Sequence, residues 1–200
     1  MKLMRRRTYT LKRRAEQQAD TRRRIVEAAV DLHGSVGPAR TTVSMVAERA
    51  GVQRHTLYAH FPDERSLLMA CSGLSLERDP MPEAVAWRSI EDRHERLLAG
   101  LTAIYGWYER NAELAGCVLR DVEIHPLVKE VSELRYGPYM AAYREVLGTR
   151  LNAKQRAILA VALNFFTWRT LARESGLKLR AAATIMVQAI ESAASNGPAT

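Results

Sequence analysis

No run of apolar residues in this 200-residue chain is long enough to cross a bilayer, and the basic N-terminus lacks the apolar core of a signal peptide. The chain is therefore expected to be cytoplasmic and to have no membrane partner. Cysteine is scarce too. Cys71 and Cys117 stand apart, with no CxxC or Cys/His spacing, which argues against a zinc site or a disulfide framework and leaves two buried thiols as the expectation. No metal and no cofactor are expected. Alternating Val/Ile/Thr-rich runs bounded by turns are missing, which argues against strands. There is no G-x-S-x-G elbow, phosphate-binding glycine loop, H-E-x-x-H pair or other distinctive nucleophile and base spacing, so the chain is not expected to be an enzyme.

Charge is present but unevenly placed. Residues 1–61 carry 13 Lys/Arg against 5 Asp/Glu, whereas residues 62–200 carry 17 of each. The whole surplus of +8 thus sits in the first third of the chain. A basic patch confined to one module suits a polyanion, because neutralising phosphates releases condensed counterions. The run Arg5, Arg6, Arg7, Lys12, Arg13 and Arg14, within a basic arm at 1–18, could equally be a solvated tail when taken alone.

The remaining periodicity is helical, which predicts an all-α chain of about nine helices. Asp20 or Thr21 can cap the first, with Ile25, Ala28, Ala29 and Leu32 on its inner face. Thr41 is placed to cap the second. Gly51 supplies a tight turn before a short third helix over 53–60, and Asp63 can cap the fourth. After a Pro-containing connection near 77–82, helices are predicted from Ser89 to Asn111, 113–121, 125–147, 152–174 and 178–195. Gly137 and Pro138 should kink or break the seventh of these nine.

The most informative stretch is residues 41–61, TTVSMVAERAGVQRHTLYAHF. Ala47, Gly51, Val52 and Leu57 are small or apolar where two short helices must cross closely, which leaves the second helix standing proud. Its outward residues are donors, acceptors and flat rings suited to a major groove. The stretch closely resembles the DNA-binding signature of TetR-type regulators, in which TTV-x-x-V/I-A is followed by A-G-V and T-L-Y-x-H-F. The resemblance covers about residues 20–70 position by position, and the rest only in helix length and order.

The resemblance implies a three-helix DNA-binding domain at 19–64 and a ligand-sensing and dimerisation domain at 65–200. It assigns Thr42, Tyr58 and His60 to the phosphate backbone, and Gln53, Arg54, His55 and Thr56 to base edges. One departure stands out: the family usually has a phosphate-binding Lys where this chain has Glu64. That contact passes to Arg65, about 100° further round the helix, or to the basic arm; both remain open.

The segment around 158–168 is apolar nearly all round, and the last helix presents many small side chains, together suggesting a homodimer through the last two helices. Trp107, Tyr108, Arg120, Tyr139, Tyr143, Asn164, Phe165 and Trp168 are the candidate effector-pocket residues, since such pockets pair aromatics with a few polar groups. The resulting expectation is a repressor that binds a palindromic double-stranded operator and is released by a small apolar or aromatic effector. The competing expectation is a sequence-tolerant architectural DNA binder with no effector.

Overall fold

The structure is a computed structural model that describes the backbone of residues 2–193 and the side chains of residues 12–193. Among the described residues there are eleven α-helices and no strand. The excess over nine has two sources: a short helix precedes the expected fifth, and the expected eighth is divided.

One unit comprises Met1–Arg78 together with Cys117–Val131. Its first helix, α1, spans Lys2–Ser35 and does not start at Asp20 or Thr21. No Gly or Pro occurs between Lys2 and Leu32, and the Leu, Lys, Arg, Ala, Glu and Gln that dominate the arm are good helix formers. Asp20 pairs with Arg23 at 2.7 Å and Arg24 at 3.5 Å instead of capping. The core face is as expected, with Ile25, Ala28, Ala29 and Leu32 all buried.

Helix α2 (Val43–Arg49) is capped by Thr42, which accepts from the Met45 amide at 3.3 Å. Thr41 is one residue too early, and its hydroxyl donates to the Gly37 carbonyl at 2.7 Å. Gly51, at φ 64°, makes the turn into α3 (Arg54–His60), in the left-handed region where a side chain is strained. Helix α4 (Glu64–Arg78) begins behind Asp63, which accepts from the Ser66 amide at 2.7 Å. Val46, Leu57, Phe61, Leu67 and Leu68 close this core, and Val128 and Val131 join it from the returning segment.

The second unit comprises Asp79–Gly116 and the chain from Ser132 onward. Helix α5 (Val85–Arg88) was not foreseen, and α6 (Arg93–Arg110) starts behind Asp92, whose carboxylate accepts from the Glu95 amide at 2.8 Å. Ser89 is therefore the end of α5, not the start of α6. Helices α7 (Ala112–Val122) and α8 (Pro126–Leu147) are shared with the first unit, and of the kink or break expected at Gly137 and Pro138 the break is absent, since α8 continues through both.

The apolar stretch expected as one helix over 152–174 divides into α9 (Ala153–Ala162), α10 (Phe165–Arg169) and a π-helical turn at Thr170–Glu174. Asn164 caps α10 by accepting from the Phe166 amide at 2.8 Å. The carbonyls released at the break are satisfied from α6: the Tyr105 hydroxyl donates to Ala162 at 2.9 Å and the Tyr108 hydroxyl to Leu163 at 2.7 Å. The two tyrosines supply the partners that buried carbonyls require. Helix α11 (Leu179–Ser192) packs against α6 and α9.

Candidate nucleic-acid interface

In the first unit, Leu57 is 1% exposed and pins α3 to the core, so the neighbouring positions must face outward. Gln53, Arg54 and His55 are exposed, Thr56 and His60 are half-buried, and Tyr58 is 46% exposed. Thr42 is exposed at the start of α2. The residues predicted to meet bases or phosphates, other than Arg65 and the basic arm, thus lie on α3, its N-cap or the α2 N-cap. Arg24 Nη1 donates to the Ala50 carbonyl at 3.0 Å, tying α1 to the end of α2, and the Arg22 guanidinium lies 4.6 Å from the Phe61 ring centre. These two arginines brace the motif from behind, a role not anticipated from the sequence.

Arg65 is differently placed. Its Nε donates to Glu130 at 2.8 Å in an exposed ion pair. Glu64 faces His125, whose Nε2 lies 3.4 Å from its carboxylate while Nδ1 accepts from the Val128 amide at 3.4 Å. If His125 is neutral, accepting at Nδ1 puts its proton on Nε2, where it can donate to Glu64. The carboxylate that replaces the expected Lys is thereby partnered within the protein. A recess of about 310 Å³ opens beside these groups, lined by Thr42, Tyr58, Glu64, His125 and buried His33, among others. Among the described residues no group of three or more His, Cys, Asp or Glu could hold a metal ion, and no helix is long and apolar enough to cross a membrane.

Residues 25–71, which include α2, α3 and the predicted base and phosphate contacts other than the basic arm, match the family model of bacterial regulatory proteins of the tetR family. Over these residues the chain carries the DNA-binding domain of the tetR family. The TtgR transcriptional regulator of Pseudomonas putida is 40% identical over 60 residues, 30% of this chain and 29% of that protein. The match therefore spans less than a third of that relative's length. The fold likeness extends further. The fatty acid degradation regulator FadR of Bacillus halodurans superposes with a TM-score of 0.61 at 17% identity, covering 85% of this chain and 94% of that one. GusR of Salmonella enterica gives 0.59 at 18%, covering 86% and 94%.

The second unit gathers some of the candidate pocket residues. Tyr108, Phe165 and Trp168 form one aromatic cluster with ring centres 5.3 to 5.9 Å apart, and Trp107 lies 5.9 Å from Tyr108. Burial raises the Tyr108 hydroxyl well above the usual tyrosine range, so it remains a neutral donor. The Trp168 indole N–H is buried without a hydrogen-bond partner. Tyr143 packs on Trp87 at 5.3 Å and donates to the Pro82 carbonyl at 2.7 Å, and Tyr139 is half-buried. Two candidates are placed apart from this cluster. Asn164 is exposed and its side chain is occupied by capping. Arg120 belongs to the first unit, where it pairs with Asp121 at 2.8 Å.

Proposed function

We propose that this chain is a ligand-responsive transcriptional regulator that binds double-stranded DNA through α3, most specifically a repressor on a palindromic operator. The observation that carries the reading is the outward row on α3, with Gln53, Arg54, His55 and Tyr58 exposed over buried Leu57. Such a helix fits a major groove, where Arg and Gln read base edges bidentately and Thr42 and Tyr58 hold the backbone. Arg54→Ala is expected to change the preferred base at one position, whereas Tyr58→Phe and Thr42→Ala weaken binding to all duplexes by similar factors. Competition assays with single-base operator variants check this. A uniform loss with Arg54→Ala contradicts the assignment.

Two copies would pair through α9 and α11. Ala157, Ala160 and Val161 on α9, and Ala181, Ile185 and Ala189 on α11, are exposed at helical spacing, with Val161 at 50% and Ile185 at 42%. Small and apolar side chains on adjoining helices favour close packing against a second copy. The effector would be a small apolar or aromatic molecule held near Tyr108, Phe165 and Trp168, with Trp107, Tyr139 and Tyr143 as further candidates. It acts only if it binds the DNA-incompetent form more tightly than the competent one. The protein would work in the cytoplasm, with its operator.

A further inference from the structure

The turn between α1 and α2 is held by its own residues and also by a distant side chain. Within it, Arg40 N donates to Gly37 at 3.3 Å, Thr41 N to Pro38 at 3.1 Å, and the Thr41 hydroxyl to Gly37 at 2.7 Å. The Ala39 amide instead donates to the Asp121 carboxylate at 2.9 Å, across 82 residues of sequence. Asp121 is 1% exposed near the end of α7. A carboxylate so deeply buried persists only if it is paired and hydrogen-bonded. Arg120 provides the pairing through Nε at 2.8 Å, and its Nη2 donates to the Val36 carbonyl at 3.1 Å. Both faces of the contact are shaped to it. Gly37 sits at φ 99°, and a Cβ added there would collide with the Arg120 guanidinium and the Asp121 carboxylate.

We infer that Asp121 is a positioning residue for DNA binding: it fixes the α1–α2 turn, and through it Thr42, so that α2 takes its place from α7 as well as from its own motif. The inference rests on the DNA-binding reading above. The turn runs directly into Thr42, the α2 cap and proposed phosphate contact. The charge network supports it: Arg120, the Ala39 amide and Arg40 hold the Asp121 carboxyl below the usual carboxylate range despite its burial. Cys117 Sγ also approaches the Gly34 carbonyl at 3.4 Å, and Val118 and Val122 pack on the first core. The end of α7 is therefore attached to the end of α1 along its length, and the Asp121 contact carries the attachment on to the turn backbone at Ala39, beyond the Arg120 bond to Val36.

The test compares full-length variants on a duplex selected by the wild-type chain from a randomised library, with affinities referred to the folded fraction. Asp121→Leu leaves the Ala39 amide unsatisfied and is expected to weaken binding by about tenfold. Asp121→Asn keeps an acceptor for that amide and should recover most of the loss. Val128→Ala, a core truncation on the same returning segment, should lower thermal stability while leaving the affinity of folded protein unchanged. Wild-type affinity in folded Asp121→Leu, or a loss no larger than that of Val128→Ala, would overturn the inference. Should Asp121→Leu not fold, Gly37→Ala disturbs the contact from its other side; it should weaken binding, and unchanged binding refutes the positioning role. If the wild-type chain prefers no duplex, the DNA-binding reading fails by itself. The positioning role is then judged by hydrogen exchange at Ala39, which should be faster in Asp121→Leu than in Val128→Ala; equal rates contradict it.

Discussion

His33 is 6% exposed, and its Nδ1 lies 3.3 Å from Cys71 Sγ. Burial pushes its pKa down to about 4, against a smaller opposing pull from Asp121. The folded state therefore refuses a proton that the unfolded chain accepts near pH 6.5. Stability from this group is complete above about pH 6.5 and is lost as pH falls towards 4, at about 1.4 kcal/mol per pH unit. Chemical denaturation at pH 7 and pH 5 should show a loss about 2 kcal/mol larger in wild type than in His33→Gln. Equal losses would mean that His33 is accessible to protons in the folded state. At this scale the sequence was readable where the chemistry is local. The 41–61 motif identified the outward side chains of α3, and the error between Thr41 and Thr42 arose because two adjacent threonines both suit a cap. No local pattern connects Asp121 with the turn, because its partner lies 82 residues away.

The helices show where propensity and tertiary partners disagree. The apolar run at 158–168 reads as one helix, but a break at Leu163 and Asn164 is stabilised by two hydroxyls from α6, which no local pattern encodes. Tyr105→Phe and Tyr108→Phe should each lower stability by about 1 kcal/mol, since each leaves a buried carbonyl without its donor. Thermal or urea denaturation of the single variants checks this; no change in either would show that the carbonyls find other partners. Helix α1 illustrates the reverse case. Its basic N-terminal part was separated from the helix by a plausible cap at Asp20, yet unbroken helix-forming residues carry the helix back to Lys2. Lys12, Arg13 and Arg14 are exposed on it. Deleting residues 2–18 should reduce the slope of log affinity against log salt, by about 0.9 for each phosphate that is no longer neutralised. An unchanged slope would leave the extension without a part in binding.

At the scale of the whole molecule, the family and the all-α fold were legible because the helix-turn-helix motif is dense and the helical period dominates the chain. The assembly of the second unit was less so: α5 and the α9–α10 break were missed, and Asn164 and Arg120 were assigned to a pocket on composition alone. The proposed pairing of two copies depends on the exposed apolar face of α9 and α11. Val161→Glu combined with Ile185→Glu should give a monomer by sedimentation, with lower operator affinity and an intact helical spectrum, because like charges would meet across a two-fold axis. A dimer that survives both changes would move the interface elsewhere. The central claim, that α3 reads base sequence, is tested most directly by measuring affinity for the selected duplex and for random duplex at one salt concentration. Sequence-specific recognition predicts a preference of roughly 10³ or more. Equal affinities would contradict it and favour an architectural DNA binder.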